Sequence, residues 1–272
     1  MKTRIIAEAG INHSGDLQIA KELILVAKLA KCDYVKFQKR TPSLCIPEHQ
    51  KNVMKDTPWG IMNYLKYKER LEFGKCEYDK INEYCKEVGI QWVASVWDIP
   101  SVDFMLQYTN IGKIPSALIT NDELLIYSRR KFSMLMISTG MSTEEEIERA
   151  VEIGNPDIIF HTNSCYPAKV SELNLNYIKH LKKKFSSKII GYSGHEFGLT
   201  PSLVAVVLGA EYIERHFTID RTMWGSDQLA SVEPHGLYSL VESIRDVEKS
   251  LGVGGNRKLL KSEMEKREML RK

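Results

Sequence analysis

Long apolar runs are missing from this 272-residue chain. Nothing approaches the roughly 20 residues that cross a bilayer. The start, MKTRIIAEAG, meets an acid at Glu8 and has no signal-peptide core. An excess of one charge is missing too. The formal net charge of +3 is too small and too dispersed to argue for nucleic acid, though it leaves room for an anionic small substrate. The five cysteines (Cys32, Cys45, Cys76, Cys85, Cys165) are odd in number, scattered, and contain no C-x-x-C pair. That usage predicts reduced thiols in a cytoplasm. No G-x-G-x-x-G follows the first apolar run, so a dinucleotide-binding open sheet loses support. Internal repeats and low-complexity tracts are absent.

What the chain has is rhythm. Hydrophobic residues make up 43% of it, enough to core one large domain or two small ones. Eight short β-branched runs read as strands: 4–10, 34–38, 91–96, 111–116, 134–139, 157–162, 188–193 and 212–217. Most are followed by a helical pattern. In 17–31, Leu17, Ala20, Leu23, Ile24, Ala27 and Ala30 share one face at helix spacing. Segment 142–154 offers Ser142 or Thr143 as N-cap, acids in the first turn, and Gly154 as C-cap. Segment 234–252 supplies the helix after the eighth strand. Eight strand–helix units with right-handed crossovers predict an α/β fold, a single (β/α)₈ TIM barrel. An open doubly wound sheet is the alternative. The barrel is assigned to residues 1–254. Segment 39–76 breaks the rhythm and is too long for an ordinary connection, so it reads as a functional or covering segment. Residues 255–272 are charged and read as a solvated helix or linker.

In such barrels, catalytic groups collect where strands end. Glu8 lies in strand one. Lys36 and Gln38, two apart, share a face of strand two. Lys113 and Ser116 fall in strand four, Ser138 in strand five, and Thr162 to Ser164 at the end of strand six. Strand seven ends at Ser193 and His195, strand eight at Glu214 and His216. Lys36 and Lys113 sit among apolar neighbours, where an unpaired charge is costly. Either each pairs with a structural acid, or both converge on a phosphate or carboxylate, where lysine serves as a point charge. His195 and His216 close adjacent strands, which lie about 5 Å apart. They could share one ion, or be structural; His13 is either a third ligand or a loop-ordering group. His161 reads as core, and His49, His180 and His235 as surface.

Eight ordered blocks carry a resemblance: AEAGINHSGD (7–16), VKFQKRTP (35–42), KIPSALITN (113–121), STGMSTEEEI (138–147), TNSCYP (162–167), GYSGHEFG (191–198), LGAEYIERHFT (208–218) and GSDQLASVEP (225–234). Together they resemble the sialic acid synthases, the N-acetylneuraminate synthase family, over nearly the whole length. The resemblance implies a barrel enzyme that condenses phosphoenolpyruvate with N-acetylmannosamine or a related N-acyl hexosamine. The product is a nine-carbon 2-keto acid, with phosphate released. It implies a divalent ion, commonly Mn²⁺ with Mg²⁺ or Co²⁺ as alternatives, held by His195 and His216. It assigns Lys36, Lys113, Ser116, Ser138 and Ser193 to phosphoenolpyruvate, with Ser164 beside them. Glu8, Gln38, Tyr166, Glu214 and Asp227 fall around the sugar and the ion's water, with Glu8, Glu214 and Lys113 as the catalytic set. A homo-oligomer follows from the same likeness.

Two departures stand out. Many members carry an acid where this chain has Leu118, which removes acid catalysis from that position. Many also add a small antifreeze-like C-terminal domain that reaches into a partner subunit and lends an arginine to the sugar. This chain stops at Lys272, about where the linker to it would begin. Segment 39–76, with Trp59, Tyr64, Tyr67, Lys66, Lys68 and Arg70, is then either a replacement cover for the sugar or a cap or dimer contact. Synthases of legionaminic, pseudaminic or 9-phosphate products, a silent sugar-binding barrel and a pyruvate-using metal aldolase are the competing readings.

Overall fold

Alternation along each strand decides what faces the barrel axis. The computed structural model describes residues 2–271. Its strands are β1 (Arg4–Gly10), β2 (Tyr34–Lys39), β3 (Gln91–Val96), β4 (Ile111–Ile114), β5 (Met134–Ser138), β6 (Ile158–Thr162), β7 (Ile189–Gly194) and β8 (Tyr212–His216). They close into a barrel in sequence order, β8 pairing with β1, and every pairing is parallel. This is the predicted (β/α)₈ fold.

Odd-numbered residues of β1, such as Ile5, Ala7 and Ala9, face outward into the main core, against the helices. Ile6, Tyr34, Val93, Met136, Ile158, Phe160 and Tyr212 face inward and form an apolar layer across the axis. Two residues on, towards the strands' C-terminal ends, the same inward face turns polar: Glu8, Lys36, Ser95, Lys113, Ser138, Thr162, Ser193 and Glu214. Register then sets the neighbours. Glu8 pairs with His216 on one side and Lys36 on the other, Ser95 with Lys113, and Ser193 with both Thr162 and Glu214. The apolar layer is the floor, and the polar ring stands on it.

Some boundaries differ from the sequence reading. β4 ends at Ile114, because Pro115 has no N–H to continue the ladder; Ser116 lies in a 3-10 turn, Ser116–Leu118. Thr143 is the N-cap of helix Glu144–Gly154. Gly154 is that helix's last residue rather than its cap. Asn155, with φ of 39°, takes the left-handed cap position, which asparagine tolerates better than most residues. Segment 39–76 contains helices Pro42–Cys45, Glu48–Lys51 and Tyr64–Leu71, and a small hairpin of Met54–Lys55 with Met62–Asn63. Tyr67 and Leu71 bury against Ile11 of the β1 loop, with Trp59, Met62 and Tyr64 packed around them. After helix Pro234–Leu251 the chain runs to a second helix, Lys261–Leu270, which buries no residue. No helix among the described residues is long and apolar enough to cross a membrane.

Candidate active site

A cavity of about 290 Å³ opens over the C-terminal ends of the strands. It is lined by Glu8, Lys36, Gln38, Lys113, Ser116, Ser138, Ser164, Tyr166, Ser193, His195, Glu214 and His216. Of the residues predicted for the site, Asp227 alone is outside this lining. Ser95, Trp97, Met141 and Thr162 are also in the wall. Ser95 was missed, though a period of two from inward-facing Val93 would have found it. Trp97 and Met141 lie past the strands, where no period marks them. Leu118 packs on the main core instead.

The two lysines are neither simple structural pairs nor free cations. Lys36 Nζ lies 2.8 Å from Glu8 Oε2 and 3.6 Å from Glu214 Oε1, and donates to Ser95 Oγ at 2.8 Å. Lys113 Nζ donates to Glu214 Oε2 at 2.8 Å and sits 4.0 Å above the Phe160 ring. Both acids belong to the cavity wall, so the four charges balance. Burial alone would raise the Glu214 carboxyl, but Lys113 and Lys36 outweigh it and bring it down to about 2. Burial lowers the Lys113 ammonium to about 8; Glu214 opposes this and Lys36 adds to it. For Lys36 burial acts the same way, but Glu214 and Glu8 win and its pKa is raised. Glu8 Oε2 stands 2.8 Å from the Lys36 ammonium, and its other oxygen, Oε1, accepts from Gln38 Nε2 at 3.1 Å.

The histidines face each other, ring centroids 5.3 Å apart. His195 Nδ1 lies 2.6 Å from the Asn163 carbonyl. A carbonyl only accepts, so this nitrogen carries the proton and Nε2 keeps its lone pair. Burial, then His216, pushes the His195 imidazole down to about 3, leaving it neutral near pH 7. His216 Nδ1 is buried without a hydrogen bond, 3.8 Å from Asp227 Oδ2. Gly10 leaves the room beside it: a Cβ there would fall 3.3 Å from His216 Cε1 and 3.2 Å from Gln38 Nε2. Two facing imidazoles, one with an orphaned nitrogen, suit a divalent ion whose other positions go to water or substrate. Among the described residues, no group of three or more His, Cys, Asp or Glu could hold a metal, which does not suit a closed structural site. His13 does not join the pair. It stacks on Phe73 at 4.0 Å, and its Nδ1 accepts from the Gly15 N–H at 3.1 Å, the loop-ordering alternative. Tyr166 lies 4.0 Å from His195, ring to ring.

Asp227 belongs to the loop 217–233, which meets segment 39–76 in a second cleft of about 620 Å³. Lys55, Lys68 and Arg221 line it with Tyr64, Tyr67 and Trp224. Lys68 Nζ lies 5.4 Å from the Tyr64 ring and 5.3 Å from that of Tyr67. Burial, then Arg40, lowers its pKa to about 8.

Comparison with known proteins fits this geometry. The model of the NeuB family matches residues 23–256. The chain is 36% identical over 269 residues to an N,N'-diacetyllegionaminic acid synthase of Legionella pneumophila, covering 92% of this chain and 73% of that one. It is 38% identical over 276 residues to the human N-acetylneuraminate-9-phosphate synthase, covering 98% of this chain and 76% of the relative. The crystal structure of an N-acetylneuraminic acid synthetase from Leptospira borgpetersenii, in complex with citrate, superposes with a TM-score of 0.87 at 34% identity, covering 100% of this chain and 93% of that one. A truncated 3-deoxy-D-arabino-heptulosonate 7-phosphate synthase of Thermotoga maritima, at 15% identity with a TM-score of 0.71, shares the fold and covers 94% of this chain and 90% of that one.

Proposed function

Since the chain belongs to the NeuB family, we propose that it condenses phosphoenolpyruvate with an N-acyl hexosamine of the N-acetylmannosamine type. A nine-carbon 2-keto acid forms and phosphate leaves. The observation that carries this is the convergence of two buried lysines, two buried carboxylates and two facing imidazoles in one cavity.

His195 and His216 would hold the divalent ion, Mn²⁺ in this reading, which polarises the acceptor's aldehyde. Lys36 and Lys113 receive the donor's phosphate and carboxylate, exchanging part of their contact with Glu8 and Glu214 for the new anion. Ser116, Ser138 and Ser193 add hydroxyl donors, and the Gly140 N–H already points at Ser116 Oγ, 3.1 Å away. Holding donor C3 against the aldehyde carbon turns a collision into a fixed encounter. As that carbon–carbon bond forms, positive charge grows at donor C2, where the carboxylates of Glu8 and Glu214 stabilise it. A water adds there and gives its proton to Glu8, whose carboxylate stands in the cavity wall. Phosphate then departs from C2 with the proton of the C2 hydroxyl, leaving the keto group, and the proton held by Glu8 passes to the oxygen of the former aldehyde.

One observation favours a phosphorylated acceptor as a second reading. The basic, aromatic cleft of Lys55, Lys68 and Arg221 adjoins Asp227, which adjoins His216. An acceptor with its aldehyde at His216 would send its distal end there. Turnover of N-acetylmannosamine against its 6-phosphate separates the two. A 6-phosphate preference of about tenfold or more in kcat/KM, lost in Lys68→Met, supports the second reading; a preference for the free sugar rejects it. Chelation should abolish turnover and Mn²⁺ should restore it. A His195→Ala/His216→Ala variant that still bound Mn²⁺ and turned over would overturn the ion's placement.

A further inference from the structure

Each site histidine has a charged neighbour in sequence, Glu196 after His195 and Arg215 before His216. Glu214 and His216 face the cavity, so alternation sends Arg215 out through the barrel wall. There its Nη1 donates to Glu196 Oε1 at 3.1 Å, Gly198 O at 2.9 Å and Ser202 Oγ at 3.1 Å; its Nη2 donates to Glu196 O at 2.6 Å. Tyr192 OH donates to Glu196 Oε2 at 2.8 Å. The cluster is closed to solvent: Arg215 is 2% exposed and Glu196 0%. Gly194 makes it feasible. It pairs with Arg215 across β7 and β8, and a Cβ there would fall 2.6 Å from Glu196 Oε2 and 2.8 Å from Tyr192 Cε1. The bare strand lets the carboxylate lie across β7 and reach β8.

A buried ion pair is a poor device for stability, because desolvation can exceed its Coulombic gain and an apolar pair often holds a fold as well. What a guanidinium fork on a carboxylate and a carbonyl supplies is direction and distance. The backbone it fixes on β8 is one peptide from His216. The backbone it fixes after β7 is one peptide from His195. We infer that Glu196 and Arg215 are positioning residues, whose pair behind the barrel wall sets the separation and orientation of His195 and His216 on the cavity side. The consequence for the divalent ion rests on the proposed role of those imidazoles.

Glu196→Leu/Arg215→Met removes both charges and leaves neither uncompensated. Three readouts apply: the melting temperature, Mn²⁺ affinity by electron paramagnetic resonance, and imidazole ¹⁵N signals of the metal-free protein. The expected result is a folded variant with Mn²⁺ affinity about 10-fold weaker, the low end for losing groups that orient ligands, and with His195 and His216 signals shifted or broadened. Glu196→Gln keeps the shape and an acceptor for Arg215, and is expected to return most of the affinity. If the double variant does not fold, Arg215→Lys, which keeps the charge and removes the fork, takes its place and is expected to weaken Mn²⁺ affinity and shift the imidazole signals. A folded variant with unchanged affinity and unchanged imidazole signals overturns the inference. If the parent binds Mn²⁺ no better than His195→Ala/His216→Ala, the ion's placement has failed instead, and the imidazole signals alone decide the clamp.

Discussion

Two acids and two lysines packed within hydrogen-bonding reach give the cavity its pH behaviour. Lys113, lowered to about 8 by burial, loses its charge as pH climbs through that value. The KM for phosphoenolpyruvate therefore rises above about pH 8, by up to tenfold per unit; a flat profile from pH 6.5 to 9.5 would remove Lys113 from donor binding. Stability moves the opposite way. The unfolded lysine keeps its proton up to its ordinary 10.5, so the unfolded state binds more protons between about 8 and 10.5, and stability rises with pH there. Urea midpoints measure it. His195 and His13, both lowered by burial to about 3, act at the acid end. In metal-free protein they add stability above their ordinary 6.5, lost progressively as pH falls towards about 3. Lys113→Met keeps the apolar stem and leaves Lys36 near Glu214. One charged hydrogen bond is worth about 1.5–3 kcal/mol, so the donor's KM should rise about 10- to 100-fold in a folded protein. Unchanged kinetics would return Lys113 to a purely structural role.

Elements separate what sequence reveals from what it hides. Strand-borne residues were legible because a period of two carries the inward face from Ile6 to Glu8, Tyr34 to Lys36, and Tyr212 to Glu214. Loop-borne ones carry no such period: Trp97 and Met141 went unnamed, and Asp227, named by the resemblance alone, comes within 3.8 Å of His216 only through the fold of 217–233. Arg215 is hidden for another reason. Its outward place on β8 follows from alternation, but the partner that closes its cluster, Glu196, comes from a different strand's end. Segment 39–76 read as a functional or covering segment; its anchoring comes from Tyr67 and Leu71 docking on Ile11 and from Tyr67 standing edge-on to Trp224, centroids 5.0 Å apart. Replacing residues 54–63 by a short turn removes Lys55 and Trp59 but not this anchor. The sugar's KM should rise several-fold with Mn²⁺ affinity unchanged. A changed sedimentation mass with unchanged kinetics would make the segment an oligomer contact.

At the scale of the molecule, the closed barrel gathers residues from all eight strands or their loops onto one face. The same apolar layer that stabilises the barrel is the dry floor under the charges, so stability and chemistry share Phe160, buried beneath Lys113. Chemistry with phosphoenolpyruvate differs from that of a pyruvate aldolase on such a face in one respect: the donor's phosphate must be released in step with carbon–carbon bond formation. Phosphate is therefore followed in Mn²⁺-loaded protein given phosphoenolpyruvate, with and without N-acetylmannosamine or its 6-phosphate, alongside mass spectrometry of the product. One phosphate released per nine-carbon 2-keto acid formed, only when acceptor is present, and none with pyruvate as donor, is the expected outcome. Phosphate release indifferent to the acceptor, or the same acid made from pyruvate, would contradict the proposed condensation.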